Sequence, residues 1–406
     1  MIQRRSRTAA ALVAAASLLL TACGGGDEEG AAPKPKHPVF DQPLDRQVLL
    51  ALRRTQEADA SFTQTLTFAS KKGRAVQTVT GKLDFAKGVG EATVTWRIPK
   101  AFDAEAKDVL LGRTPGRAFG DTSGSYLIDR DRIRYRARSS GYWITYSAAD
   151  TLGLAGSDRV AHLRGTESPV GGMLLEGVSG AEASGQHAVA GGRTYRAQLP
   201  NAVTQDLFPS DVNRALSTPL GRTAVREAGH PLTVSVDAEG RITHSRADLT
   251  RLLGKDGVFA DMTSLTMELA LSRHGASRPA TAPRGKLVRS TDAVLPVAEV
   301  KTGGCVDFNT GQRDMGTVVA VDCEEPHDGR VWAQKSLGER RYPGASAARS
   351  AARAACRGAY DAASSRWTDE SVEDDRYWYM WSGERDWDEA GEGRVTCYVV
   401  TRKGAV

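Results

Sequence analysis

Alternation of apolar and polar residues is the main pattern in the chain between residues 60 and 275. In its first run, Phe62, Leu66 and Phe68 alternate with threonines. Further runs place apolar side chains at Val79, Leu83 and Phe85; Ala92, Val94, Trp96 and Ile98; Ile133, Tyr135 and Ala137; Leu232, Val234 and Val236; and Leu265, Met267, Leu269 and Leu271. A period of two is typical of antiparallel strands with one buried face. The pattern predicts a long meander that is apolar on one face and wet on the other.

Helical periodicity is confined to three segments, at residues 45–58, 149–163 and 205–217. In the first segment Asp45 is placed to cap the helix, and Val48 and Leu52 fall on one face. We expect these few helices to cover the apolar face of the sheet. The predicted fold class is therefore α+β, with a large curved antiparallel sheet and covering helices over residues 43–274.

The N-terminus has the layout of an export signal. Arg4, Arg5 and Arg7 precede an uncharged apolar run at residues 8–20. That run is shorter than the roughly 20 residues that span a bilayer, and it has the length of a signal-peptide core. The sequence Leu20-Thr21-Ala22-Cys23 follows at once. An ordinary secretory signal with an incidental cysteine is the alternative interpretation.

The Leu-Thr-Ala-Cys step resembles the lipobox of bacterial lipoproteins. The resemblance implies a signal peptide over residues 1–22, which is removed, and a diacylglyceryl group on the Cys23 thiol. Residues 23–42 are rich in Gly, Pro and charge and are predicted to be a flexible tether. The expected location is the outer face of the cell membrane, where the acyl chains on Cys23 hold the protein.

Charge gives little reason to expect a nucleic acid partner. The full chain carries a net charge of +5, and residues 1–22 hold three arginines and no acid, so the mature chain is near +2. One local run stands out, because Arg132, Arg134, Arg136 and Arg138 fall on a single strand face. Contact with anionic headgroups or an acidic wall polymer is one interpretation. A solvated face paired with acidic neighbours is the other, and the arginine-rich composition favours it.

Residues 43–274 resemble the LolA/LppX-like lipoprotein carriers. The lipobox, the opening "LLALRRTQEADASFTQTLTF" and the hairpin "PLTVSVDAEGRITHSRADL" carry the resemblance. It implies a half-barrel whose apolar interior holds the acyl chains of a lipid or lipoprotein. Five side chains would then line the ligand cavity: Phe68, Leu83, Trp96, Met267 and Leu269. A sheet filled by its own helices has the same alternation, so both possibilities stay open.

The cysteines point to a second unit at residues 297–406, after a predicted linker at 275–296. Besides Cys23, the chain has Cys305, Cys323, Cys356 and Cys397. Exported thiols meet an oxidising environment, and an even number without a C-x-x-C pair favours disulfides. Cys323 and His327 supply at most two ligands, so no metal site is predicted. A cysteine nucleophile would need a free thiolate beside its base, which the disulfides exclude.

This second unit resembles the septum-formation-related domain of actinobacterial membrane proteins and lipoproteins. The matching residues are Gly304-Cys305-Val306, "VVAVDCEEPHDGRVWA", Tyr342-Pro343-Gly344 before an Ala-rich helix, and "GRVTCYVV". Four cysteines allow three pairings, and Cys305 with Cys323 and Cys356 with Cys397 is the simplest. The resemblance implies an association with cell division and no particular chemistry.

Tryptophans are concentrated between the predicted helix and the last strand of this unit, at Trp367, Trp378, Trp381 and Trp387. A small disulfide-bonded domain needs aromatic residues for its own core. We therefore predict a core role for Trp378 and Trp381. Trp387 is a candidate surface contact.

The sequence contains no G-x-S-x-G, H-E-x-x-H, P-loop or S-x-x-K motif. We therefore predict a membrane-anchored, non-enzymatic protein without a cofactor, which carries a lipid or lipidated ligand in the cell envelope. The alternative is an interaction module of the septum-formation machinery with no bound ligand. The expected partners are the membrane, a lipid ligand, and cell-division or envelope proteins.

Overall fold

A computed structural model describes residues 37–112, 123–129, 132–147, 172–216, 229–311, 317–338, 341–363, 365 and 377–401. Within these residues, twelve strands form one sheet in the order β12-β6-β5-β4-β3-β2-β1-β11-β10-β9-β8-β7. Its strands are β1 Asp59–Ser70, β2 Gly73–Asp84, β3 Val89–Arg97, β4 Ser123–Ile128, β5 Arg132–Ala137, β6 Tyr142–Ser147, β7 Glu182–Val189, β8 Gly192–Leu199, β9 His230–Asp237, β10 Ile242–Asp248, β11 Met262–Ser272 and β12 Lys286–Arg289. Its neighbours are antiparallel except β12, which runs parallel to β6. The curved sheet is not closed, and the predicted α+β class is confirmed.

The alternation in the sequence places the apolar residues on the concave face. In β1, Phe62, Leu66 and Phe68 are buried, while the threonines between them are partly or fully exposed. The register with β11 sets Leu66 opposite Met267 and Phe68 opposite Leu265, so the two runs build one continuous apolar surface.

Short helices cover much of this concave face: α1 Leu44–Gln56, α2 Ala104–Leu111, α3 Leu174–Val178, α4 Asn201–Thr204 and α5 Ser210–Leu216. The first predicted helix is found at Leu44–Gln56, and the prediction at 149–163 lies outside the described residues. The prediction at 205–217 is broken into a 3₁₀ turn at Gln205–Leu207 and helix α5. Pro209 explains the break, because proline disfavours helical backbone in the residue before it.

The second sheet has six strands in the order β13-β15-β14-β16-β18-β17. They are β13 Val294–Pro296, β14 Cys305–Asp307, β15 Thr317–Val321, β16 Gly329–Ser336, β17 Trp378–Trp381 and β18 Arg394–Val400. The described part of this unit contains the helices α6 Ser290–Ala293, α7 Ala345–Asp361 and α8 Glu384–Ala390. Helix α7 packs on β16, β17 and β18 through Ala352 and Cys356, which are fully buried.

The segment predicted as a linker, 275–296, is structured. Its first half runs as a strap across the polar outer face of the large sheet. The Ser277 amide donates to Asp59 of β1 (2.8 Å) and the Ala280 amide to Glu91 of β3 (2.9 Å). Trp143 of β6 donates to the Arg284 carbonyl (3.1 Å). The second half forms β12, α6 and β13, which lead from the edge of the first sheet into the second.

Candidate functional site

The predicted cavity residues divide into two groups. Phe68, Met267 and Leu269 are completely buried, and the ring of Phe68 packs against Phe259 with centroids 4.9 Å apart. Leu83 and Trp96 are half-buried at the margin of the same core. The first three therefore have no surface that a water molecule can reach.

Helix α1 occupies the concavity and is held there by buried hydrogen bonds. Thr55 accepts from the backbone amide of Ile242 in β10 (2.8 Å) and donates to the Ala51 carbonyl (2.7 Å). Gln47 accepts from the Tyr195 hydroxyl of β8 at 2.8 Å. Buried polar groups are tolerated only when they are paired, so these contacts fix the position of α1 over β8 and β10.

A buried glutamine fixes α3 on the same face. Gln64 points from β1 into the concavity, where its side-chain oxygen accepts from the Leu174 amide (2.7 Å). Its amide group donates to the Gly172 carbonyl (3.0 Å). Gln64 thus bonds an otherwise unpaired amide of the first helical turn, which is the task of a helix cap. This role explains why the polar Gln64 stands in the middle of the apolar run of β1.

A pocket of about 190 Å³ lies at the rim of the concavity. Phe102, Val258 and Met262 form its apolar wall, and Lys72 and Asp261 lie beside them as an ion pair at 2.8 Å. Pockets for drug-sized ligands measure roughly 300–1,000 Å³. This pocket is smaller, and Leu83, Trp96 and the three buried candidates do not line it.

The second unit covers the concave face at β5 and β6. Val294 and Val319 of the second sheet belong to the same buried core as Ile133 and Ile144. The Tyr146 hydroxyl donates a hydrogen bond to the Thr310 carbonyl. The two predicted domains therefore share one core. Among the described residues, the second unit covers this face at β5 and β6, and α1 and α3 cover other parts of it.

The junction is centred on Asp307, which is completely buried. One carboxylate oxygen accepts from Ser140 (2.7 Å) and from the Tyr142 hydroxyl (2.9 Å), both in the first unit. The other accepts from the backbone and side-chain nitrogens of Asn309, both at 2.9 Å. The same Asn309 side chain donates to Asp328 at 2.8 Å. One buried charge is thus hydrogen-bonded by both units, as a buried charge must be.

Burial and hydrogen bonding oppose each other at this carboxylate. Burial raises the pKa of Asp307, and hydrogen bonds involving Asp328, Asn309 and Ser140 outweigh that effect, so the pKa lies below its usual value. Burial, followed by the nearby charge of Asp307, raises the pKa of Tyr142 far above its usual value. Tyr142 is therefore a neutral donor, and Asp307 is a charged acceptor.

Tyr135 forms the apolar part of the junction. Gly311 has φ +74°, and a Cβ added to it would lie 2.5 Å from the Tyr135 ring. On the other side, the ring centroid of Tyr126 is 5.0 Å away. Only glycine allows both this backbone conformation and this close approach.

The arginine face of β5 is not solvated throughout. Arg134 is buried beneath the strap, where it donates to the Thr281 carbonyl (3.4 Å) and lies 3.8 Å from Asp129. The guanidinium of Arg136 stacks on Trp143 at 4.9 Å. Arg132 and Arg138 are exposed. Pairing with an acidic neighbour agrees with the favoured interpretation, and burial of Arg134 differs from it because the strap covers the strand.

The cysteines form the two expected disulfides. Cys305 is bonded to Cys323 and Cys356 to Cys397, with Cα–Cα distances of 5.1 and 5.6 Å. His327 bonds locally to the Glu325 carbonyl (2.8 Å). Among the described residues, no group of three or more His, Cys, Asp or Glu side chains is arranged to hold a metal ion.

Trp387 is not a surface contact, which corrects the sequence-based interpretation. Its side chain is completely buried, and a Cβ on Gly393 would lie 2.3 Å from its ring. Tyr342 packs against it edge-on at 5.6 Å. Trp387 lies on α8, whose one apolar face turns toward the protein. Trp378 and Trp381 are half-buried against the two cores of this unit, and Trp367 lies outside the described residues.

The predicted attachment residue Cys23 also lies outside the described part of the chain. Within the described residues, no helix has the length and apolar character needed to cross a bilayer.

Sequence reasoning did not identify the Asp307 junction. One local signal was present, because Asp307 interrupts the apolar run Cys305–Phe308. Its partners Ser140 and Tyr142 are more than a hundred residues away in sequence.

The solved structures that resemble this chain do so weakly, with TM-scores of 0.27 or less for three of them. An uncharacterised conserved protein from Thermus thermophilus has a TM-score of 0.27 and 7% identity, and the match covers 60% of this chain and 98% of that one. The Pseudomonas aeruginosa MucA/MucB complex has a TM-score of 0.23 and 10% identity, and the match covers 88% of this chain and 99% of that one. A putative outer membrane lipoprotein-sorting protein domain from Vibrio parahaemolyticus has a TM-score of 0.20 and 9% identity, and the match covers 56% of this chain and 93% of that one. These scores are too low for any of the three to inform the function of this chain.

A search of curated proteins finds no match. A family model described as "Septum formation" matches residues 277–397. The match includes both disulfides, Asp307 and most of the strap, so it begins inside the segment predicted as a linker. Residues 277–397 are therefore similar to the septum-formation family.

Proposed function

We propose that this protein is a lipid-anchored, non-enzymatic interaction module of the septum-formation machinery, on the outer face of the cell membrane. One observation carries the proposal. The concave face of the large sheet is covered by α1 and α3 and, at β5 and β6, by the second unit, and Phe68, Met267 and Leu269 are completely buried. An interaction module needs a rigid framework that presents surfaces, and a shared core supplies one.

The location is tested with a fluorescent fusion of the full chain in dividing cells. We expect the signal to concentrate at the septum. A matched fusion of the Cys23→Ala chain keeps every described residue and reports whether the predicted anchor contributes to the location. A uniform envelope signal for the full chain would contradict the proposal.

A lipid carrier is the second candidate, and the pocket at the rim favours it. Phe102, Val258 and Met262 offer an apolar wall that could contact an acyl chain. The pocket volume of about 190 Å³ is below that of a typical ligand site, so a carrier would have to displace α1 or α3 to hold an acyl chain.

The two candidates are separated by native mass spectrometry of the soluble Cys23→Ala protein, with organic extraction of the same sample. A carrier retains a stoichiometric lipid. An interaction module with a packed core retains none, and its mass equals that of the polypeptide.

A further inference from the structure

A row of aromatic side chains lies on the edge of the second sheet that points away from the first unit. Strand β17 is the last strand in the sheet order, and β13, which connects to the first unit, is at the opposite edge. Residues Trp378–Trp381 of β17 are all half-buried. In the described residues β17 pairs only with β18, so its outer edge has no strand partner there.

The rings form a continuous ladder between this edge and α7. The ring centroids of Tyr360 and Tyr377 are 5.4 Å apart, those of Tyr377 and Tyr379 6.5 Å, and those of Tyr379 and Trp381 5.9 Å. Successive ring planes are tilted by 34°, 40° and 35°. All four residues are half-buried and pack against the core that contains Trp332, so their rings are held in place.

Two arginines of α7 border the ladder. The guanidinium of Arg349 lies 5.8 Å from the Trp381 ring centroid, at the far end from Tyr360. Arg353 follows one turn later, on the flank of the helix that carries Arg349 and Tyr360. Both arginines are exposed, and neither has an acidic partner among the described residues.

We propose that this aromatic edge, made of Tyr360, Tyr377, Tyr379 and Trp381 with Arg349 and Arg353, binds an anionic glycan. Sugar rings stack on aromatic faces, and a row of rings accepts successive sugars of a polymer. A guanidinium binds carboxylate or phosphate through two parallel hydrogen bonds. Rigid aromatic residues beside arginine are also the usual composition of strong binding sites.

The surface fits a glycan better than a membrane or an acidic peptide. Insertion into lipid requires protruding apolar side chains, and the large ones exposed in the described residues are Leu49 and Leu287, which lie outside this unit's edge. An acidic peptide would need the arginines but not the ring faces. The combination of stacking surface and cation is what a charged sugar polymer requires.

The test is co-sedimentation of the soluble full-length Cys23→Ala protein with purified peptidoglycan sacculi, with cellulose as the neutral glycan. We expect binding to sacculi only. The double change Arg349→Gln/Arg353→Gln should weaken it about tenfold or more, as expected when charge-assisted contacts are lost. Tyr379→Leu should weaken it similarly, whereas Tyr379→Phe, which keeps the ring, should not. Arg251→Gln, which changes an exposed arginine of the first unit, is the matched control.

Three results would overturn the proposal. If Tyr379→Leu binds like the parent protein, with an unchanged melting temperature, the rings have no role and the contact is purely electrostatic. Competition by anionic vesicles as effective as that by soluble glycan fragments would assign the surface to lipid headgroups. If the parent protein does not co-sediment with sacculi, the surface does not bind an anionic glycan.

Discussion

Replacing Tyr142 with phenylalanine isolates the charge-assisted bond at the junction. The change removes one hydroxyl, which donates to the buried Asp307 carboxylate at 2.9 Å, and leaves the ring in the core. Hydrogen bonds to charged groups contribute about 1.5–3 kcal/mol, against about 0.5–1.5 kcal/mol for neutral pairs. Ser140 still donates to the same oxygen, so we expect a loss near the lower end, about 1.5 kcal/mol.

The assay is urea unfolding of the soluble protein, with thermal unfolding as a second readout. Tyr195→Phe is the matched control, because the Tyr195 hydroxyl donates at 2.8 Å to the neutral side chain of Gln47. Tyr195→Phe should lower the free energy of unfolding by about 0.5–1 kcal/mol. A double-mutant cycle with Asp307→Asn should reduce the effect of Tyr142→Phe, because the charge that strengthens the bond is gone. Equal losses for the two tyrosine changes, with no coupling to Asp307, would refute the reasoning.

The same carboxylate gives the junction a pH dependence with a defined sign. The pKa of Asp307 is lowered in the folded protein, so the unfolded chain binds the proton more readily. Its contribution is fully present above the unfolded value of about 3.9 and is lost as the pH falls through the lower folded pKa. Acid unfolding of Asp307→Asn should therefore be less steep below about pH 4 than that of the parent protein.

Three further changes test the packing and the anchor. Leu269→Trp should destabilise the protein by about 1–3 kcal/mol in urea unfolding, because Leu269 has no exposed surface; a neutral result would indicate a cavity. Gly311→Ala should cost more than Gly338→Ala, since both have φ above +70° but only a Cβ at Gly311 meets another residue; equal melting temperatures would show that the contact is unimportant. Cys23→Ala should move the protein from the membrane fraction to the soluble fraction in a detergent-partition assay, and retention would indicate another attachment.

Local periodicity determined the elements of the first sheet. The alternation around Phe62 and around Leu265 depends only on neighbouring residues. A strand with one buried face is the structure that places all of these apolar side chains on the same side. The disulfides could also be predicted without knowledge of the fold, because an exported chain with an even number of cysteines favours them.

Contacts between distant segments decided the rest. The apolar residues of β1 and β11 have the same pattern over a hollow or a packed interior, and only the positions of α1, α3 and the second unit bear on which of the two is present. The acidic residues around Trp387 in the sequence favoured a surface position for it. In the structure it is buried, because Gly393 leaves space for its ring. Asp307 and Tyr142 are 165 residues apart in sequence, and no pattern in the chain couples residues over that distance. Their hydrogen bond exists because the strap brings the second unit back onto the concave face, which is a property of the tertiary structure alone.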